Sequence, residues 1–396
     1  MRIVLLSHEY PPFLFGGVGI FVKDLAHGLA NLGLDVTVIS GVPVPWKNRP
    51  SSVTENDEDK IKVIRFQYPN LIPRHIVFQV FNNAKLKKML KSIKPDVIHG
   101  QSGSTFPSII SIRKDAPVIV TFHGSPSMVK SLALESVGKG GTFVDLLQGG
   151  IGYPAWEEGY RMEYKTANAR VAVSKSLMEQ LSDEMKVKNC TFDCIHNGID
   201  LENLDKLRAL SFARRNNNGP TLLFGGRLFW SKGVMYLLDL AYLLEKKYHL
   251  DIKVVIFGSG PMYNRIVERK KEYGLNNLII RQFASRSDFL LEMANAMCVL
   301  IPSTFEAAPM VLLEGMCLGK IPVMFNLPYA REFTENGRYG ILCDNIQEMA
   351  VKIKEIYYSG SSANFEMRIS DFARKNYNMD KTSRAYYELY KRISIH

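Results

Sequence analysis

Short apolar runs alternate with longer amphipathic stretches along almost all of this chain of 396 residues. The runs at 2–6, 35–40, 62–66, 96–99, 117–122 and 170–173 are rich in Val and Ile and nearly unbroken, as strands buried on both faces are. A second series reads at 221–224, 252–257, 277–280, 297–301 and 321–325. Apolar residues at helical spacing fill the gaps, for example at 18–32, 234–247 and 262–273. Apolar strands joined by amphipathic helices make parallel sheets covered on both faces, so the expected fold class is α/β. Eleven strands are many for one sheet, and two doubly wound sheets are more natural. The break falls at 197–220, where HNGID is followed by a charged stretch and RRNNNGP, read as a polar linker. Domains are expected at 1–200 and 201–376. A last amphipathic helix at 377–396 carries Tyr386, Tyr387, Leu389, Tyr390 and Ile393 on its apolar side.

Two stretches carry no such pattern. Residues 47–60, KNRPSSVTENDEDK, are polar and charged and read as an exposed loop. Residues 124–165 hold Gly138, Gly140, Gly141, Gly149, Gly150 and Gly152 beside Tyr153, Trp156 and Tyr160. They read as helical pieces around a glycine-rich segment, either an acceptor-side lid or a plain surface excursion.

The composition, 46% hydrophobic and 22% charged, is that of a globular chain with ample core. No apolar run approaches the roughly 18–20 residues needed to span a bilayer. MRIVLLSHEY meets His8 and Glu9 too soon for a signal peptide and reads as a first strand. Five scattered cysteines suit reduced thiols and a cytoplasmic protein. Cys190 and Cys194 have no second ligand pair nearby, so no metal is expected there. The net charge of +11 attracts phosphates, nucleic acid or an anionic membrane. Lysines 85, 87, 88, 91 and 94 interleave with Leu86, Met89, Leu90 and Ile93 as a basic amphipathic helix over 83–94. A solvated outer face is the favoured reading, over peripheral contact with the inner face of an anionic membrane. No helix-turn-helix, zinc-finger or ribonucleoprotein signature is present, so nucleic acid is not an expected partner.

Candidate chemistry concentrates in PSTFEAAPMVLLEGMCLGK, residues 302–320. A buried strand leads into a polar turn holding Glu306. Pro309 suits the first position of a helix that carries Glu314. The N–H groups of Met310 and Val311 would then point out of the helix N-terminus, an anion site suited to phosphate. Carboxylates so near a phosphate need other partners, such as sugar hydroxyls. A ligand part sugar and part diphosphate fits, as does a plain core helix with two satisfied acids.

Four further elements follow strands. SHEYPPFLFGGVG lets backbone approach a ligand at Gly16, Gly17 and Gly19. It is not G-x-G-x-x-G, and Ser40–Gly41 stand where a ribose-binding acid would end strand two. TFHG puts His123 at a strand's carboxyl edge, where open α/β sheets bind ligands. FGGRLFWSKG offers Arg227 and Lys232 as a diphosphate clamp ahead of a helix, against two solvated surface cations. FGSGP (257–261) by itself is no more than a tight turn. No Asp-x-Asp metal motif is read in the sequence.

Taken together, EYPP-x₃-GGVG, TFHG, AVSKSL, HNGID, GGRL-x₃-KG, FGSGP and PS-x-FEAAPMVLLEGM, in this order, resemble the retaining glycosyltransferases of family 4. The resemblance covers nearly the whole chain, and its most specific part is Glu306-x₇-Glu314 preceded by the Arg/Lys pair. It implies the GT-B fold: two Rossmann-like domains facing across a cleft, the second binding the nucleotide sugar, with a C-terminal helix crossing back to the first. It implies that Arg227 and Lys232 hold the diphosphate, Glu314 meets the ribose hydroxyls and Glu306 contacts the transferred sugar. It further implies that Gly17 approaches the donor phosphate and that His123 lies beside the sugar. Many relatives have glycines where Ala307, Ala308 and Pro309 stand. Pro309 cannot donate, which leaves phosphate contacts to neighbouring amides, Met310 first.

The expected function is transfer of a hexose from a UDP-, GDP- or ADP-linked sugar to a hydroxyl of a glycan, lipid-linked or small-molecule acceptor, without metal or other cofactor. The alternatives are a sugar-nucleotide epimerase of the same architecture and a non-catalytic nucleotide-sugar-binding subunit. The missing fingerprint acid disfavours a dehydrogenase.

Overall fold

A computed structural model describes residues 1–45, 53–58, 60–71, 74–102, 105, 108–128, 130, 153–185, 191–213, 219–282, 285–360 and 362–394. The glycine-rich part of 124–165, all of 47–52 and Cys190 lie outside the described residues. The chain divides into two compact units, Met1–Gly198 with Met379–His396, and Ile199–Asn378.

The strands of the first unit are β1 (Arg2–Leu6), β2 (Asp35–Val44), β3 (Val53–Glu58), β4 (Ile61–Pro69), β5 (Val97–Gln101), β6 (Val118–Phe122), β7 (Ala169–Ala172) and β8 (Asp193–Cys194). They form one sheet in the order β3-β4-β2-β1-β5-β6-β7-β8. All neighbours run parallel except β3 and β4. Its centre is fully buried on both faces: β1 from Ile3, and β5 and β6 throughout, which is why these strands read as unbroken apolar runs.

The hairpin partner β3 corrects the loop expected over 47–60. Its residues are exposed almost throughout, so no alternation of apolar and polar positions marks it. Cross-strand pairing supplies what the core does not: Glu55 bonds Lys62 at 2.7 Å and Glu58 bonds Arg65 at 2.8 Å. Charged residues on a sheet edge also discourage further strand addition.

The C-terminal helix Met379–Ser394 belongs to this first unit. It packs on helix Val18–Asn31 so closely that a Cβ on Gly28 would come within 2.0 Å of Ser383 Oγ.

The second unit carries β9 (Thr221–Gly225), β10 (Lys253–Phe257), β11 (Leu278–Arg281), β12 (Cys298–Ile301), β13 (Ile321–Phe325) and β14 (Ile341–Cys343). The order is β11-β10-β9-β12-β13-β14, all parallel. In sequence order this is 3-2-1-4-5-6, the doubly wound arrangement whose direction of winding reverses between β9 and β12. Crevices for ligands open at the carboxyl ends of the strands there.

The expected linker is also corrected. Leu201–Ala213 is a helix, with Leu204 and Leu207 buried at helical spacing and Asp200 Oδ1 accepting from the N–H of Asn203. Its charges face solvent, as in the exposed pair Glu202–Lys206, and they mask a three-residue apolar period. Cys194, Cys298, Cys317 and Cys343 are free thiols, and burial pushes those of Cys298 and Cys317 up to about 12.

Candidate active site

The two strands that flank the reversal of the second sheet carry the site. After β9 the chain turns through Gly226–Phe229 into a single 3₁₀ turn, Trp230–Lys232, and then helix Val234–Tyr242. Gly233 makes this possible. Its φ is +68°, and a Cβ there would stand 1.9 Å from Pro302 O. Only glycine fits both demands, so the loop after β9 lies hard against the loop after β12. Thr304 N–H donates to Ser231 O at 3.1 Å across the same seam.

Lys232 and Glu306 meet at that seam. Lys232 Nζ donates to Glu306 Oε1, and Ser303 Oγ donates to the same oxygen at 2.9 Å. The Lys232 side chain retains 26% of its exposure and that of Glu306 12%. A carboxylate so shielded favours a close cation, and the pair fixes both side chains at the strand ends. Arg227 is exposed, its guanidinium 5.1 Å from the centre of the Phe229 ring.

The helix after β12 starts at Met310, one residue later than expected. Pro309 is its cap, extended at φ −69° and ψ 119°. Pro309 O accepts from Leu312 and Leu313, so the N–H groups of Met310 and Val311 precede the first intrahelical bond, as an anion site requires. Glu314 sits on this helix with only 2% of its surface exposed. Burial pushes its carboxyl up, and Arg286 draws it back. Arg286 pairs with its Oε1. The sequence gives no signal for Arg286, which opens helix Arg286–Asn295 behind the cap Ser285.

In the first unit the corresponding loops follow β1, β5 and β6. Gly17 is exposed at the N-terminus of helix Val18–Asn31. Glu9, not singled out by its sequence, shapes this loop: Oε2 accepts from the N–H of Phe15 at 2.7 Å and of Gly16 at 2.8 Å. His123 follows β6. Gln101, the last residue of β5, lies 2.7 Å from its Nε2, and Phe21 meets the ring edge-on at 5.3 Å. Burial holds the imidazole down at about 3, so it is neutral near pH 7. With Nε2–H donating to Gln101 Oε1, Nδ1 is left as an acceptor.

Asp57–Glu58–Asp59 does spell Asp-x-Asp. Asp57 and Glu58 lie on the exposed edge strand β3 of the first unit, and Glu58 is engaged by Arg65.

Residues 15–203 match the model of Glycosyltransferase Family 4, and residues 208–376 match that of Glycosyl transferases group 1. Glycogen synthase of Mycobacterium tuberculosis is 26% identical over 371 residues, covering 87% of this chain and 82% of that protein. Alpha-maltose-1-phosphate synthase of Mycolicibacterium smegmatis is 22% identical over 357 residues, 86% and 84% of the two chains. Among solved structures, sucrose-phosphate synthase of Thermosynechococcus elongatus superposes with a TM-score of 0.80 at 18% identity, over 99% of this chain and 98% of that one. Anabaena Alr3699/HepE in complex with UDP and glucose gives 0.73 at 17% identity, over 98% and 99%. The chain is therefore a glycosyltransferase of the family 4, group 1 type, with the GT-B fold.

Proposed function

We propose that this enzyme moves a hexose from a UDP-, GDP- or ADP-linked sugar to an acceptor hydroxyl, with retention of anomeric configuration. The observation that supports it most is the seam between the loops after β9 and β12. There the Lys232–Glu306 pair meets the start of the helix that carries Glu314, at the reversal of the second sheet, where doubly wound folds hold nucleotides. In this reading Arg227 and Lys232 take the diphosphate, assisted by the N–H groups of Met310 and Val311. Glu314 accepts from the ribose hydroxyls. Glu306, oriented by Lys232 and Ser303, positions the transferred sugar. Gly17 gives backbone access to the donor phosphate, and His123 lies beside the sugar with neutral Nδ1 as an acceptor.

The chemistry follows from charge. Breaking the sugar–phosphate bond builds positive charge on the anomeric carbon and negative charge on the departing diphosphate. Fixed cations and helix amides stabilise the second without reorganising. Attack on the same face, with the leaving phosphate taking the acceptor's proton, accounts for retention.

An epimerase of the same architecture would convert donor with no acceptor present. Donor alone should therefore stay unchanged, and an acceptor should be needed for turnover. Because protein groups neutralise the diphosphate, the account has no place for a metal in the transfer step. Full activity is expected in excess EDTA, measured as release of nucleoside diphosphate. Loss of activity that Mg²⁺ or Mn²⁺ restores would refute a metal-independent step.

A further inference from the structure

Helix Arg74–Ile93 buries one side only, through His75, Phe78, Gln79, Asn82, Leu86 and Leu90. At 100° per residue the outer side carries two blocks. Val77, Val80, Phe81 and Ala84 share its first half, with Val80 56% and Phe81 45% exposed. Lys87, Lys88 and Lys91 share the second half, continued by Lys94 just beyond the helix. No aspartate or glutamate occurs between Lys60 and Lys94. A solvated outer helix mixes both signs of charge and few large apolar groups; this face does neither.

Two further exposed apolar residues stand near the start of this helix. Leu71 is 45% and Leu14 38% exposed. The loop that holds Leu14 is fastened to the first helical turn, the Arg74 guanidinium lying 4.4 Å from the centre of the Phe15 ring. The exposed apolar residues therefore stand at the end of the helix that adjoins the glycine-rich loop.

We propose that this face docks on an anionic lipid bilayer. Val80, Phe81, Leu71 and Leu14 enter the headgroup boundary, while Lys87, Lys88, Lys91 and Lys94 meet lipid phosphates. A bilayer offers both things the face presents, an apolar layer beneath a layer of negative charge. A soluble polyanion would satisfy the lysines and leave Val80 and Phe81 in water. A second copy of a chain with a net charge of +11 would bring like charges together. Docking here sets the loop around Gly17 at the bilayer surface, so the acceptor class that fits is a lipid-linked glycan. The docking does not rest on the donor chemistry, and its failure would leave the nucleotide-sugar reading standing.

The test is co-sedimentation of the full chain with phosphatidylcholine vesicles and with vesicles of equal parts phosphatidylcholine and phosphatidylglycerol, at low and high salt. The wild type should sediment with the anionic vesicles at low salt, weakly at high salt, and not with the neutral ones. The triple variant Lys87→Glu/Lys88→Glu/Lys91→Glu should bind at least roughly 100-fold less well, at about 5-fold per lysine lost. Val80→Ser/Phe81→Ser should bind roughly 10-fold less well or worse. Circular dichroism should show both variants folded. Absence of binding to anionic vesicles would overturn the proposal, as would unchanged binding in either variant or equal binding to neutral vesicles. Equal retention by soluble polyphosphate, indifferent to Val80→Ser/Phe81→Ser, would assign the face to a polyanion instead. A dimer in sedimentation velocity that Phe81→Ser disperses would assign it to a second copy.

Discussion

Lys232→Ala is expected to lower kcat/KM by roughly 100-fold or more, the loss found when one preorganised charge donor is removed from a transition state. That corresponds to about 2.7 kcal/mol at 1.36 kcal/mol per decade. Arg227→Ala should also reach roughly 100-fold, and the lysine should be the costlier of the two. Arg227 is exposed and stacks only on Phe229, so its removal deletes one contact to phosphate. Lys232 is bonded to Glu306, so its removal also leaves a shielded carboxylate held by Ser303 alone. Lys232→Arg should recover part of the activity by keeping the charge. Steady-state kinetics with circular dichroism as a folding control decide it. Near-normal activity in either folded alanine variant would remove that residue from the clamp.

The two glutamates should fail differently. Glu314 is on the helix, buried, and paired with Arg286. In the proposed pose it meets the ribose, which changes little between ground state and transition state. Losing such uniform binding raises KM and spares kcat. Glu306 sits at the seam beside Lys232; in the proposed pose it is next to the sugar, where positioning and charge matter most as the oxocarbenium forms. Glu306→Gln should therefore lower kcat, by roughly 100-fold, with a smaller change in donor KM. Glutamine preserves the shape of each site. Donor-saturation kinetics on both variants read the split directly. Wild-type kcat in Glu306→Gln, or the reverse pattern, would undo this division of labour.

The parallel sheets were legible because burial on both faces leaves an unmistakable trace, unbroken Val and Ile runs such as those of β1, β6 and β10. The elements that escaped are the ones the core does not dictate. Edge strand β3 has no apolar face to display, and its pairing depends on β4. β14, at the other sheet's edge, is three residues long. Helix Leu201–Ala213 hid its apolar period behind surface charge.

The site followed the same rule. Motifs placed Arg227, Lys232, Glu306 and Glu314 on the right loops and helix, because strand–turn–helix grammar is local. Their partners were not legible. Lys232 finds Glu306 across 74 residues of sequence, and Arg286 reaches Glu314 from a different helix. Glu9 acts on Gly16 within the one loop after β1. Gln101 reaches His123 from a neighbouring strand. Such pairs exist only once the sheet order brings separate loops together.

The central claim, that the second unit holds a nucleotide sugar through Arg227 and Glu314, is tested most directly by thermal unfolding. UDP-, GDP- and ADP-glucose would each be titrated against the wild type, Arg227→Ala and Glu314→Gln. One of the three should stabilise the wild type by about 2.7 kcal/mol at 100 times its Kd, and the response should weaken in both variants. No response to any of them, or a full response retained in both variants, would contradict the account.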